Sequence, residues 1–311
     1  MKGLVYHAGG LGDFVLSLPA IHRVAEALPG LEWRFWGPSG RLRLLPPGFG
    51  PAPPGLVRLG HTLWGERPAP GALGILDSCR AVLAFGGRAA PAWVRHVRGR
   101  VVALASFPPR GGAWVPVHQR DQLDRLGVPR AREPWLGAWR GRVLPARRPG
   151  WIVLHPGSGD PRKNLPQGTW VRVLDALRKE TGLPAEVVVG PAEAERGGWE
   201  ALGSAADAVT VCGEIGELIA VLARARLYLG NDSGPTHLAG ILGIPAVAVF
   251  GPSDPGLWRP LGPRVAVVRT RAACAPCTWG GPIACPAPSC LEAVPAGDVV
   301  RAACAVMEPG P

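Results

Sequence analysis

Three stretches of this chain carry residue types and spacings suited to chemistry on a phosphorylated sugar. The first is Gly230-Asn231-Asp232-Ser233-Gly234-Pro235-Thr236-His237-Leu238-Ala239-Gly240. Asn231, Asp232 and Ser233 are helix N-cap types, and Leu238, Ile241 and Leu242 continue at helical spacing. A loop where a strand ends and a helix begins offers unpaired N–H groups that suit phosphate. An acidic side chain among them suits hydroxyls better, so Asp232 points to a sugar beside a phosphate. The second stretch is Ser158-Gly159 with Lys163, which supplies a hydroxyl, N–H groups and an ammonium. The third is the glycine loop Ala8-Gly9-Gly10-Leu11-Gly12-Asp13, whose one carboxylate is Asp13. Glu193 follows a strand end, where it could hold a ribose hydroxyl pair. Each has a plainer reading: a capped turn, a solvated lysine, a first-turn helix acid. For Asp13 the spacing alone favours an N-terminal cap over a general base.

Transfer from a nucleotide-linked donor needs positive or N–H character at the diphosphate, polar groups for sugar hydroxyls, and a base for the acceptor. These residues meet that need. The chain has no Asp-x-Asp metal pair, so a metal-independent transfer is expected, with Lys163 and helix N-termini in the cation's place. The glycine loop is not a dinucleotide fingerprint. Val15 stands where the third glycine belongs, and the second strand ends Phe35-Trp36-Gly37-Pro38 with no acidic residue for a ribose. Nor does Gly-Lys-Ser/Thr follow, so it is not a P-loop.

The elements that must position these loops read as α/β. Strands are predicted at Leu4–His7, Glu32–Trp36, Ala81–Phe85 and Val101–Ala105, with a helix from Phe14 to Leu28 and another over His118–Leu126. The basic, proline-containing stretch Arg140–Gly150 reads as a linker. Beyond it, strands at Trp151–Leu154, Glu186–Val189, Ala208–Val211, Ala225–Leu229, Pro245–Phe250 and Val265–Arg269 alternate with helices. Two doubly wound domains are expected, 1–148 and 149–311, with a cleft between them lined by loops at the carboxyl ends of strands.

Composition sets outer limits. The 311 residues are 47% hydrophobic and 18% charged, enough for real cores. No apolar run approaches the ~20 residues of a membrane span. The N-terminal apolar run is too short for a signal peptide, so a cytoplasmic protein is expected. The net charge of +11 is almost all arginine, the lysines being Lys2, Lys163 and Lys179. An anionic partner follows: nucleic acid, a phospholipid surface or a phosphorylated ligand. No aromatic–basic interleaving supports nucleic acid.

The motifs also resemble a known family, glycosyltransferase family 9, the ADP-heptose lipopolysaccharide heptosyltransferases. The stretch from Gly10 to Ala20 (Gly10-Leu11-Gly12-Asp13-Phe14 onward) is similar to its N-terminal motif. His155-Pro156-Gly157-Ser158-Gly159 with Lys163-Asn164-Leu165-Pro166 and Trp170 is similar to its second. Asn231 to Ala239, then Val249-Phe250-Gly251-Pro252-Ser253-Asp254-Pro255, resembles its third. The resemblance implies a GT-B fold and an inverting, metal-independent transfer with no required cofactor beyond a nucleotide-sugar donor such as ADP-heptose. It implies that Asp13 deprotonates the acceptor hydroxyl, overturning the cap-only reading. It places Ser158, Gly159 and Lys163 on the diphosphate, Glu193 on the ribose, and Asp232, Ser233 and Gly234 on heptose and phosphates. Gly10, Gly12 and His237 join the donor-binding set, and Gly213–Gly216 neighbours the base. The acceptor would be an anionic, membrane-attached glycolipid, with Arg110 and Arg120 as candidate contacts to its phosphates or carboxylates. The stretch from Gly37 to Arg100, which would contact the acceptor, departs from the family pattern. Two rivals on the same architecture are a nucleotide-sugar epimerase or hydrolase, and a non-catalytic nucleotide-sugar-binding protein.

Cys274-x2-Cys277-x7-Cys285-x4-Cys290 clusters four of the seven cysteines among Pro276, Pro286 and Pro288. A structural zinc site, disulfides and unpaired thiols stay open. No catalytic part is expected of them.

Overall fold

A computed structural model describes residues 1–131, 135–144, 146–278, 283, 285 and 289–308. Pro145 of the expected linker and Pro286 and Pro288 of the cysteine segment lie outside them. The chain divides into two compact units, Met1–Leu136 and Gly137–Pro311.

The N-terminal unit is built on a parallel sheet. Its elements are β1 (Lys2–Tyr6), α1 (Leu11–Ala27), β2 (Glu32–Trp36), β3 (Gly50–Pro51), α2 (Pro54–Leu59), α3 (Pro70–Asp77), β4 (Ala81–Gly86), β5 (Val101–Ala105) and α4 (Val115–Arg125). The strand order is β3-β2-β1-β4-β5, and every pairing is parallel. Strands covered on both faces must be apolar almost throughout. β4 (Ala-Val-Leu-Ala-Phe-Gly) is buried along its first five residues. Helix α1 sets Phe14, Val15, Leu18, Ile21 and Val24 into the core. Buried Arg23 on α1 pairs with Asp124 on α4 at 2.7 Å and donates from Nε to the Pro129 carbonyl at 3.0 Å. That arginine ties α1 to α4 and to the turn behind it.

The C-terminal unit opens with helix α5 (Trp135–Val143), which begins at the end of the first unit, followed by β6 (Trp151–His155), α6 (Gln167–Thr181), β7 (Ala185–Val189), α7 (Pro191–Arg196) and α8 (Glu200–Ala205). Then come β8 (Ala208–Val211), α9 (Ile215–Leu222), β9 (Ala225–Asn231), α10 (Gly234–Ile241), β10 (Ala246–Phe250), α11 (Pro255–Trp258), β11 (Val265–Arg269) and α12 (Ala296–Met307). The sheet order is β11-β10-β9-β6-β7-β8, again parallel. Its core gathers Trp170, Val173, Leu174 and Leu177 of α6 against Ile152, Leu154, Leu227 and Leu229, and against Val299 and Ala303 of α12.

The expected linker is corrected at its start. Arg140 to Val143 are the last turn of α5, and Trp139, Val143 and Leu144 are buried. Its arginines cap carbonyls of the C-terminal sheet and helices: Arg140 Nε donates to Ile241 O and Arg147 Nη2 to Ala225 O, each at 2.6 Å. Basic composition there serves docking, not looseness. Among the described residues no helix is long and apolar enough to cross a membrane.

Candidate active site

In an open parallel sheet the ligand crevice lies at the carboxyl ends of the strands where the winding direction reverses. In the N-terminal sheet that point falls between β1 and β4. In the C-terminal sheet it falls between β6 and β9. Each unit carries one of the polar groups singled out from the sequence at its own reversal point.

In the N-terminal unit, β1 runs into the glycine loop and α1. Asp13 is half-buried in the first turn of α1, and its Oδ2 accepts the Gly10 N–H at 2.9 Å. The helix cap read from spacing is therefore present. Gly9 lies so close that a Cβ there would sit 3.0 Å from both Asp13 Oδ2 and the His7 ring. Asp13 lines a cavity of about 290 Å³ with residues from the ends of β1, β4 and β5, including His7, Phe85 and Ser106.

Beneath Asp13 lies a network that sequence reading missed. The Ser17 hydroxyl donates to the Asp13 carbonyl at 2.8 Å, and Gln119 Nε2 donates to Ser17 Oγ at 3.0 Å. His7 Nε2 is 3.3 Å from the same oxygen. A hydroxyl has one proton, and it is spent on the Asp13 carbonyl, so His7 donates from Nε2. Burial, with the Arg41 charge nearby, pushes the His7 imidazole down to about 3, and the ring is neutral at physiological pH. Ser17 and Gln119 are 102 positions apart, and no local pattern links them. Gly12 is half-buried in α1. Arg110 is exposed. Arg120 pairs with Asp121 at 2.9 Å, and neither arginine lines the Asp13 cavity.

In the C-terminal unit the strand–helix loop between β9 and α10 forms a buried polar group. Lys163 Nζ lies 2.9 Å from Asp232 Oδ2, and His237 Nε2 lies 3.5 Å from Asp232 Oδ1. Asp232 is 7% exposed. Burial by itself would raise its carboxyl. The His237 hydrogen bond and the Lys163 charge outweigh it and hold the group below the usual carboxylate range. Lys163 sits at the end of a short 3₁₀ turn, Pro161–Lys163, whose entry is capped by Asp160 accepting the Arg162 N–H at 3.0 Å. Ser158 Oγ is within 2.7 Å of the Asp160 carbonyl and of Asn164 Oδ1 and stiffens the same loop.

Asn231, the last residue of β9, brackets the two loops together. Its Oδ1 accepts the Leu165 N–H at 2.9 Å and its Nδ2 donates to the Pro156 carbonyl at 2.7 Å. Thr236 Oγ1 donates to the Asn231 carbonyl at 2.6 Å, and Ser233 Oγ lies 3.1 Å from Thr236 Oγ1 and 3.5 Å from His155 Nδ1. Thr236 and His155 are site residues not singled out from sequence, though both lie inside the quoted motifs, and Asn231, expected there as an N-cap type, ends β9 while Ser233 takes the cap position. Glu193, in the first turn of α7, accepts the Gly190 N–H at 3.1 Å and approaches Arg196 at 3.3 Å and His155 Nε2 at 3.9 Å. Gly157 is required there, because a Cβ would fall 2.3 Å from Glu193 Oε1. A second cavity of about 290 Å³ runs past Gly157, Asn164, Glu193, Arg196 and Trp199. So the C-terminal unit brings Ser158, Gly159, Lys163, Glu193, Asp232, Ser233, Gly234 and His237 onto neighbouring loops at one sheet edge. The backbone N–H groups of Gly213 and Glu214 are taken by Glu217 Oε2, at 2.7 and 3.1 Å.

Among the described residues no disulfide is formed: Cys274 and Cys277 are exposed, Cys285 is half-buried and Cys290 is buried. Among the described residues no three metal-ligating side chains come close enough to hold an ion.

Two parallel α/β units, each with polar groups at its strand-reversal point, have the architecture of the GT-B fold. Residues 131–281 match the model of glycosyltransferase family 9 (heptosyltransferase). The chain is 28% identical over 328 residues to lipopolysaccharide heptosyltransferase 1 of Pseudomonas aeruginosa, covering 89% of this chain and 86% of that one. In fold it is similar to E. coli heptosyltransferase WaaC with ADP (TM-score 0.67, 18% identity, 97% of this chain and 98% of that one). It is equally similar to E. coli ADP-heptose lipopolysaccharide heptosyltransferase II (TM-score 0.67, 18% identity, 99% and 98%).

Proposed function

We propose that the chain is an inverting, metal-independent transferase that moves a heptose from ADP-heptose to a hydroxyl of a lipopolysaccharide-core-like glycolipid. The observation that carries this reading is Lys163 paired with buried Asp232 and His237 at the reversal point of the C-terminal sheet. It supplies a fixed cation for a diphosphate and a carboxylate for sugar hydroxyls. The donor choice is supported by the similar enzymes, one of them solved with ADP and another an ADP-heptose transferase.

In this reading the N-terminal domain, 1–148, takes the acceptor and the C-terminal domain, 149–311, takes the donor. Ser158, Gly159 and Lys163 hold the diphosphate, with N–H groups at the start of α10. Glu193 accepts from the ribose hydroxyls. Asp232, Ser233 and Gly234 hold heptose hydroxyls and phosphate oxygens. Asp13 takes the proton of the acceptor hydroxyl. That oxygen bonds to the anomeric carbon as the bond to the diphosphate oxygen breaks, and ADP leaves with the electron pair. Attack from the face opposite the leaving group inverts the configuration. Lys163 and the N–H groups bear the charge that grows on the diphosphate, which is the role a metal would otherwise fill. Cation-rich surface, with Arg110 and Arg120 as candidates, meets anionic groups of the acceptor, and the net charge of +11 favours a peripheral place at the inner membrane face.

The test mixes the purified chain with ADP-heptose and a heptose-deficient lipopolysaccharide. Acceptor-dependent ADP release and an inverted anomeric signal by NMR are expected. Donor consumed equally without acceptor would make it a hydrolase or epimerase. Tight nucleotide binding with no turnover would make it a binding protein.

A further inference from the structure

Arg41 is a charge buried at a cost. It sits in the 3₁₀ turn Ser39–Leu44 that follows β2 and is 8% exposed, and its Nη1 lies buried with no hydrogen-bond partner among the described residues. Taking a guanidinium out of water and leaving a donor unpaired lowers stability rather than adding to it. Its neighbours say what it does instead. The guanidinium carbon lies over the Phe14 ring, 5.4 Å from its centroid, and the His7 ring meets the same ring edge-on at 5.3 Å. Phe14 follows Asp13 in the first turn of α1. The turn after β2 thus brings a fixed cation to the wall that carries the carboxylate, and the Asp13 charge favours the charged form of Arg41.

That attraction is reciprocal. If the carboxylate helps Arg41 keep its proton, the guanidinium equally disfavours a proton on Asp13. Two influences push the other way. Asp13 lines a cavity walled in part by Tyr6, Trp64, Phe85 and Phe107, and an aromatic wall desolvates a carboxylate. An anionic acceptor adds like charge. A protonated Asp13 could take no proton from a hydroxyl. The groups around the cavity do not offset this. His7, from β1, is neutral. The ends of β4 and β5 bring Phe85, Gly86, Ser106 and Phe107 to it, and no charge. From α4, Gln119 reaches Ser17 beneath Asp13 and is uncharged. An arginine suits the position, because it keeps its charge even where burial lowers its proton affinity.

Resting on the transferase reading above, we infer that Arg41 is a positioning residue of the reaction, holding Asp13 ionised so that it stays open to the acceptor proton while an anionic acceptor is bound. It acts through Asp13 and does not itself line the cavity.

The experiment titrates Asp13 directly. In the ¹³C-labelled full chain the Asp13 carboxyl signal is assigned by its disappearance in Asp13→Asn. It is then followed by NMR against pH in the wild type, Arg41→Met, Arg41→Gln and Arg41→Lys, with thermal melting to report that each variant is folded. Loss of the charge in Arg41→Met and Arg41→Gln is expected to raise the midpoint by roughly one pH unit, a tenfold gain in proton affinity. Arg41→Lys is expected to keep it near the wild-type value. A midpoint unmoved in the two neutral variants overturns the inference. In turnover with ADP-heptose and heptose-deficient lipopolysaccharide, the acid limb of kcat/KM for the acceptor should move to higher pH with the midpoint, and Arg41→Lys should restore it. A rate lowered equally at every pH, with the limb in place, would make Arg41 a support of the fold or a contact to the acceptor and also overturns the inference. A midpoint that moves as expected in a chain with no acceptor-dependent ADP release would sink the transferase reading and leave the coupling of Arg41 to Asp13 standing.

Discussion

Replacing Lys163 with Met tests the donor anchor, because it keeps the aliphatic stem and removes only the charge. At 2.9 Å the gross attraction to Asp232 is about 6 kcal/mol at an effective dielectric constant near 20. Most of that offsets the cost of burying the carboxylate. The lysine side chain is 29% exposed, which screens it further, and His237 remains at 3.5 Å. The net loss of folding stability is then about 1–2 kcal/mol. The loss in ADP binding is set by charge-assisted hydrogen bonds of about 1.5–3 kcal/mol, or roughly ten- to hundredfold in Kd. Calorimetric titration with ADP measures it. Asp232→Asn is the control with the opposite sign: it removes a negative charge near the phosphates, so ADP affinity holds or improves while heptose transfer falls. A Lys163→Met variant that binds ADP within about twofold of wild type would remove Lys163 from the diphosphate and leave the ion pair purely structural. The pH dependence follows from the lowered Asp232 carboxyl. Its contribution is complete above the unfolded value near pH 4 and is lost as pH falls toward the folded value. Urea midpoints should therefore drop in acid for the wild type, begin to drop at higher pH in Lys163→Met, and show a flatter acid limb in Asp232→Asn.

Asp13→Asn separates base from cap: its Oδ1 can still accept the Gly10 N–H, so stability should change by less than about 1 kcal/mol. Acceptor-dependent ADP release should fall about 10²–10⁴-fold, and unchanged turnover would return Asp13 to a capping role. Gly157→Ala drives a Cβ to 2.3 Å from Glu193 Oε1. It should cost about 1–3 kcal/mol of stability and weaken nucleotide binding, read by thermal shift with ADP. Asn231→Ala leaves the Leu165 N–H and the Pro156 carbonyl without their bracket. About 2–4 kcal/mol is expected from two buried hydrogen bonds, measured as a urea midpoint shift.

The Lys163–Asp232–His237 group is legible in the sequence because its residues are local. Ser158 to Lys163 and Asn231 to His237 are contiguous, and a parallel sheet obliges both loops to emerge at the same edge once β6 and β9 are neighbours. Strands such as β4 and β10 were read from unbroken apolar runs, which burial on both faces demands. What sequence reading missed is short or long-range. Helices α2 and α3 start at Pro54 and Pro70 and last six and eight residues, too short for a periodicity to declare itself. The basic stretch after Arg140 looked like a linker, because carbonyl-capping arginines and solvated ones are the same letters. Helix α12 follows Pro295 with Val299 and Ala303 buried, and no helix is expected there from the sequence. The His7–Ser17–Gln119 network spans over a hundred positions, and only the packing of α1 on α4 reveals it.

That asymmetry has a physical origin. Diphosphate recognition needs backbone N–H groups and a cation in a fixed order along one loop, so the motif survives as a string. Packing of aromatic rings on one another needs only flat apolar faces at the right place, which many sequences can supply. Trp64 packs on Tyr6 of β1 and Trp36 of β2, which pack in turn on Trp93 of a later turn, rings that come from separated segments. An aromatic cluster of that kind leaves no spacing rule behind. Trp64 lies in the N-terminal unit, so exchanging the turn around it should leave ADP affinity unchanged, as measured by calorimetric titration. A change in ADP affinity of more than about threefold in that exchange would mean that the turn supports donor binding as well, and that the division of labour drawn here is wrong.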